Sequence, residues 1–158
     1  MYRIGQSSDI HQLVEGRKLV LGGVVIEHYK GLLGHSDADC LLHSIIESII
    51  GALGLGDIGT HFPDTDIRYK DIDSKVLLVK VYELLLNYNY SIVNIDSTIM
   101  IEKPIMSPYI GNMRENIASI LDIDIGLVNI KATTGESLGF IGEELGVMAS
   151  SVVLLKSN

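Results

Sequence analysis

One cysteine, Cys40, is all the thiol this sequence offers, so an intramolecular disulfide framework is excluded and a reducing compartment suits the chain. Cys40 itself reads as a small buried hydrophobe on a helix rather than as a reactive thiol. Long apolar runs are missing as well. The two most apolar stretches, Leu41–Leu55 and Val76–Leu86, are interrupted by His43 and Glu47, or by Lys80 and Glu83. Both fall short of the ~18 uninterrupted apolar residues that a membrane span needs. The opening MYRIGQSSDIH is polar before any apolar block can form, which reads as neither a signal nor a transit peptide, so a cytoplasmic location is expected. Basic residues are scarce: 12 Lys+Arg against 20 Asp+Glu leave a formal charge of −8. That balance argues against a nucleic-acid partner, whose phosphates need clustered Lys and Arg. It also means that something other than bulk charge must attract any phosphorylated ligand. No linker, charge run or repeat divides the chain, so residues 1–158 are expected to form one domain.

Apolar content is the counterpart. Hydrophobic residues make up 47% of the chain and mean hydropathy is +0.32, high enough to suggest apolar surface buried between subunits. Helical spacing runs through Asp37–Leu53, where Leu42, Ile45, Ile46, Ile49, Ile50 and Leu53 recur at three- and four-residue steps. Asp73–Leu86 repeats the pattern and Ser107–Leu121 carries a weaker form of it. β-Branched runs at Lys18–Ile26, Tyr90–Ile101, Leu127–Ala132 and Val147–Leu155 read as strands. The mixture predicts an α+β fold, a single mixed β-sheet with helices packed on one face.

Four short segments bear chemistry. In Asp9-Ile10-His11, an extended backbone would put the carboxylate and the imidazole on one face, able to share a metal; a surface Asp and His two apart are also common without one. Gly34-His35-Ser36-Asp37-Ala38-Asp39 leads into the first helix, with Ser36 as the expected N-cap, and a helix N-terminus beside His35 could hold an anion. Asp39, His43 and Glu47 fall at i, i+4 and i+8 of that helix. His43 with Asp9 and His11 would make three protein ligands with an open fourth position, the pattern of a catalytic zinc site. Gly54-Leu55-Gly56-Asp57-Ile58-Gly59 spells G-x-G-x-x-G, but a helix precedes it instead of a strand, so a dinucleotide-binding role is rejected. Lys131-Ala132-Thr133-Thr134-Gly135-Glu136 ends a strand in two hydroxyls, a glycine and a carboxylate, either a polar turn or a site for phosphate and its Mg²⁺.

RIGQSSDIH, LVLGGVVI, GLLGHSDADCLLH, LGDIGTHFPDTD, NIDSTI with EKPIMSP, and NIKATTGESLGF occur in this order. From about Arg3 to Leu155 the chain resembles the 2-C-methyl-D-erythritol 2,4-cyclodiphosphate synthase family of the non-mevalonate isoprenoid pathway. The resemblance implies a homotrimer with active sites at subunit interfaces, and a CDP-linked small molecule as substrate. It implies Zn²⁺ on Asp9, His11 and His43, and Mg²⁺ or Mn²⁺ near Glu136, bound with the substrate diphosphate. His35 and Ser36, with Asp9, Ile10 and His11, would contact the substrate at its phosphates. Asp57, Ile58, Gly59, Phe62, Pro63, Asp64, Thr65 and Asp66 would hold the methylerythritol portion. Lys103, Pro104, Ile105 and Met106 would form the cytosine pocket, and Thr133, Thr134, Gly135, Glu136 and Phe140 would complete the site. His35 and Thr134 would stabilise the transition state of an intramolecular phosphoryl transfer that expels CMP. A zinc-dependent phosphodiesterase or phosphatase is the alternative reading.

The sequence departs from the family pattern in places. Ser7 and Ser8 stand where the family has Gly and an aromatic, and Glu47 where a shorter Asp is common, a change expected to alter the surroundings of His43. Ile105 replaces a frequent Lys. Glu143 replaces an Arg that lines a central cavity of the family trimer, and a carboxylate there disfavours an anionic occupant.

Overall fold

In the computed structural model, which describes residues Met1–Asn158, helix α1 (Cys40–Leu53) is the element around which the core closes. Leu41, Leu42, Ile45, Ile46, Ile49 and Ile50 are all fully buried, and so are Ser44 and Ser48 between them. Only the stripe of His43, Glu47 and Gly51 is left partly or fully open, so the helix is a core element rather than a surface one. It starts at Cys40, three residues later than the spacing suggested, because Asp39 and not Ser36 is the N-cap: its carboxylate accepts the Leu42 N–H at 3.0 Å. Helices α2 (Ile58–His61), α3 (Ser74–Asn87), α4 (Ile110–Ile120) and α5 (Gly139–Gly142) follow.

The main sheet has five strands in the order β4-β1-β7-β5-β6, formed by Lys30–Leu32, Tyr2–Glu15, Gly146–Ser157, Tyr90–Met100 and Val128–Thr133. Only β5 and β6 run parallel; the other pairs are antiparallel. The expected α+β class and mixed sheet are therefore present. The expectation of a single sheet needs correction, because Lys18–Ile26 is not one strand but a hairpin, β2 (Leu19–Leu21) and β3 (Val24–Ile26), forming a separate two-stranded sheet. Gly22 and Gly23 turn it with φ of +59° and +71°, the left-handed pair that two-residue hairpins require. The unpatterned N-terminus, RIGQSSDIH, proves to be most of the longest strand of the sheet.

Strand alternation decides what faces the helices. Val147, Ala149, Ser151, Val153 and Leu155 of β7 are buried, and α1 lies against both β1 and β7. The approach is close at Gly5, where an added Cβ would sit 1.9 Å from the Ser48 carbonyl oxygen. Beneath the helix, Ser151 Oγ lies 2.7 Å from Ser44 Oγ and 2.8 Å from Ser97 Oγ, so these buried hydroxyls satisfy one another. On the other face of the sheet Tyr2, Ile4, Ile10 and Val152 remain exposed. The G-x-G-x-x-G segment is a helix end: Gly54 caps α1 in the left-handed conformation, and no strand precedes it.

Candidate active site

Alternation along β1 turns Asp9 and His11 to the helix-bearing side of the sheet, while Ile10 between them is exposed on the opposite face. His43 meets them from the first turn of α1. His11 Nε2 lies 2.9 Å from Asp9 Oδ2, His43 Nδ1 lies 3.1 Å from the same oxygen, and the two nitrogens are 3.3 Å apart. Ligand atoms on a tetrahedral zinc with bonds of ~2.0–2.1 Å are separated by about 3.3 Å, so this triangle already has the size of a metal site. The three residues form the one cluster of His, Cys, Asp and Glu able to share an ion, and Glu136 is not part of it.

Each imidazole is oriented from behind. His11 Nδ1 donates to the Leu33 carbonyl at 2.9 Å, leaving the Nε2 lone pair directed at the cluster. His43 Nε2 lies 2.9 Å from Ser74 Oγ and 3.2 Å from Ser36 Oγ, and the Ser74 hydroxyl donates to Asp37 at 2.5 Å. The chain from Asp37 through Ser74 to His43 thus presents Nδ1 to the cluster. Ser74 lies 31 residues from His43, and no local pattern pointed to it.

Burial alone would raise the Asp9 carboxyl, but hydrogen bonds and charge from His11 and His43 bring it down to about 2. Burial would lower His11, and the Asp9 hydrogen bond and charge overcome it, so its pKa lies above the ordinary histidine value of about 6.5. In the metal-free protein the Asp9 pairing therefore contributes stability above about pH 3.9 that is lost as pH falls toward 2. A metal must displace the proton on His11. Divalent-ion affinity is accordingly expected to fall roughly tenfold per pH unit below the raised His11 pKa and to level off above it. Titration with Zn²⁺ at several pH values from 5.5 to 8 checks this; an affinity flat with pH would remove His11 from the ligand set.

The cluster opens into a cavity of about 280 Å³ also lined by Gly34, His35, Ser36, Ile58, Gly59, Phe62, Asp64, Tyr69, Ile72 and Leu77. His35 lines this cavity, and its Nε2 is buried without a hydrogen-bond partner. Asp57 instead caps α2, its carboxylate accepting the Thr60 N–H and hydroxyl, both at 2.8 Å. Asp66 pairs with Arg68 at 2.6 Å, and that guanidinium holds its carboxyl near 2. Pro63 and Thr65 share this loop without lining the cavity. The helix N-terminus expected to serve an anion is answered from within, since the Asp39 carboxylate occupies it.

A second cavity, of about 410 Å³, is lined by Ile101, Glu102, Pro104, Ile105, Met106, Ser107, Ile110, Ala132, Thr133 and Thr134. Lys103 turns away to pair with Glu144 at 3.0 Å, which raises the Lys103 pKa. Gly135 and Glu136 follow in a turn, and Phe140 on α5 is 41% exposed. Of the sequence-predicted residues, the first cavity takes Asp9, His11, His35, Ser36, His43, Ile58, Gly59, Phe62 and Asp64, and the second takes Pro104, Ile105, Met106, Thr133 and Thr134. Ile10, Asp57, Pro63, Thr65, Asp66, Lys103, Gly135, Glu136 and Phe140 line neither. Glu47, expected to alter the surroundings of His43, spends its carboxylate elsewhere: it accepts the Ser7 hydroxyl at 2.5 Å, with the Ile58 N–H at 3.5 Å. The two departures, Ser7 and Glu47, are one contact between β1 and α1.

Fold and site together define an α+β protein with an Asp/His/His group that could hold a metal ion, lining a cavity. The sequence profile of the YgbB family matches residues 2–156, and this chain belongs to that family. It is 58% identical over 156 residues to the 2-C-methyl-D-erythritol 2,4-cyclodiphosphate synthase of Fusobacterium nucleatum, covering 99% of this chain and 98% of that protein. With the protein of the same name from Clostridioides difficile it shares 58% over 153 residues, 97% of this chain and 95% of the relative. Among solved structures, the bifunctional IspDF of Campylobacter jejuni superposes with a TM-score of 0.96 at 41% identity; it covers all of this chain, which spans 43% of that longer protein. A CDP complex of IspF from Plasmodium falciparum matches at a TM-score of 0.87 and 38% identity, over 99% of this chain and 97% of its own. The resemblance read from the motifs holds, and the family is one of enzymes.

Proposed function

We propose that this chain is a 2-C-methyl-D-erythritol 2,4-cyclodiphosphate synthase, a single-domain, cytoplasmic phosphorus–oxygen lyase of isoprenoid biosynthesis. No helix is long and apolar enough to cross a membrane. The observation that carries the reading is one cavity lined by the Asp9–His11–His43 triangle and by His35, in a chain 58% identical to a protein of that name.

The substrate is 4-diphosphocytidyl-2-C-methyl-D-erythritol 2-phosphate. An oxygen of its 2-phosphate forms a bond to the β-phosphorus, the bond from that phosphorus to the α–β bridging oxygen breaks, and CMP leaves with that oxygen. The nucleophile is already an anion, so no strong base is required; the demand is to fold the substrate on itself and to neutralise charge. Zn²⁺ on Asp9, His11 and His43, and Mg²⁺ or Mn²⁺ near Glu136, supply positive charge to the phosphate oxygens when bound. His35 holds a phosphate oxygen through its unpartnered nitrogen, and Thr134 does so through its hydroxyl. Ile58, Gly59, Phe62 and Asp64 form the wall against the methylerythritol portion, while Pro104, Ile105 and Met106 receive the cytosine.

A homotrimer with sites at subunit interfaces fits two features. Metal-facing and nucleotide-facing residues line separate cavities of one chain, so a neighbour's second cavity can complete the first. The uncovered sheet face exposes Tyr2, Ile4 and Ile10 at 65%, 71% and 53%, apolar area that association would remove from water.

A phosphorus NMR time course with the substrate tests the reaction. CMP and a cyclic diphosphate are expected, and chelator should stop the conversion. A linear monophosphate would make the protein a hydrolase, and turnover unaffected by chelator would remove the metal from the mechanism.

A further inference from the structure

We propose that Glu102 is a positioning residue that joins the nucleotide wall of the second cavity to its phosphate wall, a role that rests on the function proposed above. Glu102 follows β5, directly after Ile101 and before the Lys103–Pro104 bond. Its Oε2 accepts the Gly135 N–H at 2.8 Å and its Oε1 accepts the Ser137 N–H at 3.2 Å. Both donors belong to the turn after β6, more than thirty residues on.

That turn does not hold its shape by local preference. Glu136 and Ser137 have φ of +52° and +62°, in the left-handed region that residues with a Cβ adopt only when their surroundings impose it. Gly135 is pressed from the other side: a Cβ there would sit 2.8 Å from the Gly142 nitrogen and 2.9 Å from the Leu138 carbonyl oxygen. Two N–H groups converging on one anion form a backbone nest. Here the anion is the chain's own carboxylate.

Two consequences follow for ligand binding. The Gly135 and Ser137 N–H groups are already engaged, so a phosphate at this turn meets the hydroxyls of Thr133 and Thr134 rather than a ring of free amides. And because Pro104, Ile105 and Met106 line the same cavity as Thr133 and Thr134, the Glu102 carboxylate, together with the Ile101 N–H that donates to the Thr133 carbonyl at 3.0 Å, sets how far apart a cytosine and its diphosphate are held. Glu102 acts through the turn, which both of its carboxylate oxygens hold.

The test uses the full chain and the variants Glu102→Ala and Glu102→Gln. Hydrogen exchange of the 133–138 segment, followed by mass spectrometry, is expected to rise about tenfold or more in Glu102→Ala, since two charge-assisted bonds are lost. The dissociation constant for CDP should rise about tenfold, while that for cytidine, which lacks the phosphates, stays within about twofold. Glu102→Gln keeps one acceptor oxygen and should recover part of both effects, a rescue that separates positioning from general damage. Bound zinc per chain should be unchanged in both variants. Unchanged exchange at the turn overturns the proposal, as does equal weakening of CDP and cytidine. Raised exchange with unaltered CDP affinity overturns the link between the walls. Wild-type protein indifferent to CDP overturns the proposed function and the ligand role of Glu102 with it, an outcome told apart by the wild-type measurement alone.

Discussion

Replacing His43 with alanine is expected to remove metal binding and cyclisation together, with affinity for a divalent ion falling more than about a hundredfold and turnover more than about a thousandfold. His43 is the only ligand contributed by α1; Asp9 and His11 both come from β1. Without it, Asp9 and His11 remain as a hydrogen-bonded pair 2.9 Å apart with little to hold an ion against water. The imidazole also terminates the chain running from Asp37 through Ser74, so its loss leaves the Ser74 oxygen without the donor it accepts from, while its hydroxyl still donates to Asp37. Ser74→Ala offers the graded comparison. It keeps all three ligands and removes the partner that orients His43, and an affinity loss of about 10–100-fold is expected. Metal content by elemental analysis, beside the phosphorus NMR rate, checks both variants. A zinc-free yet active His43→Ala protein would refute the assignment. An Ser74→Ala protein with unaltered affinity would show that Ser36, at 3.2 Å, is the partner that matters.

The parts of the fold that could be read in advance are those in which one element carries its own signal. Helix α1 announced itself through Leu42, Ile45, Ile46, Ile49 and Ile50, and β5 and β7 through runs of β-branched residues. Strand β1 gave no such sign. Its helix-facing side includes Gly5, Ser7, Asp9 and His11, chosen for close approach to α1 and for ligand chemistry, so the apolar alternation that marks a strand is absent. The hairpin at Gly22-Gly23 has the right dipeptide, but apolar residues run on both sides of it through Lys18–Ile26 and mask the turn. Among site residues, Asp9, His11, His35 and His43 were legible from side-chain type and spacing. Ser74, Asp37 and Glu102 were not, since each acts across more than thirty residues of chain and only the tertiary fold brings the partners together.

The charge problem posed by an acidic chain also resolves in particular places. Several carboxylates near the proposed site are spent on the chain's own donors: Asp39 at the start of α1, Glu102 in the turn after β6, Asp57 at α2 and Asp66 with Arg68. Each of them satisfies backbone or guanidinium N–H groups that would otherwise attract an anion. On the proposed function the phosphates would then rely on hydroxyls and on cations rather than on free N–H groups, so removal of metal should weaken substrate affinity as well as turnover.

Asp39→Ala is expected to be the most destabilising single substitution around the site. Asp39 is fully buried, and its two oxygens accept three N–H groups: Gly22 at 3.0 Å, Gly23 at 2.7 Å and Leu42 at 3.0 Å. One carboxylate thus caps α1 and fastens the β2–β3 hairpin to it. Alanine removes the cap, at a cost of about 1 kcal/mol, and strands two further N–H groups at about 1–3 kcal/mol each, so the loss should be about 3–7 kcal/mol. Domains of this size have about 5–15 kcal/mol in total, and the midpoint of thermal unfolding should fall by roughly 10 °C or more. Asn, which keeps one acceptor oxygen, should lose less. The carboxylate is not itself comfortable. Burial, with a smaller contribution from the charge on Asp37, raises its pKa to about 6 against the three N–H donors that lower it. Between about pH 4 and 6 the folded protein therefore holds a proton that the unfolded chain has released, and stability should fall as pH rises through that window and level off above it. Urea unfolding of the wild type and Asp39→Asn across pH 4–7 reads both effects: the gap between the two curves should be widest at pH 4 and narrow toward 6. A gap that widens with pH would show that the three N–H donors outweigh burial and that Asp39 is ionised throughout. A gap of less than about 1 kcal/mol for Asp39→Ala at pH 7 would mean that water or a rearranged turn satisfies Gly22 and Gly23, and that Asp39 is not what holds the hairpin to the helix.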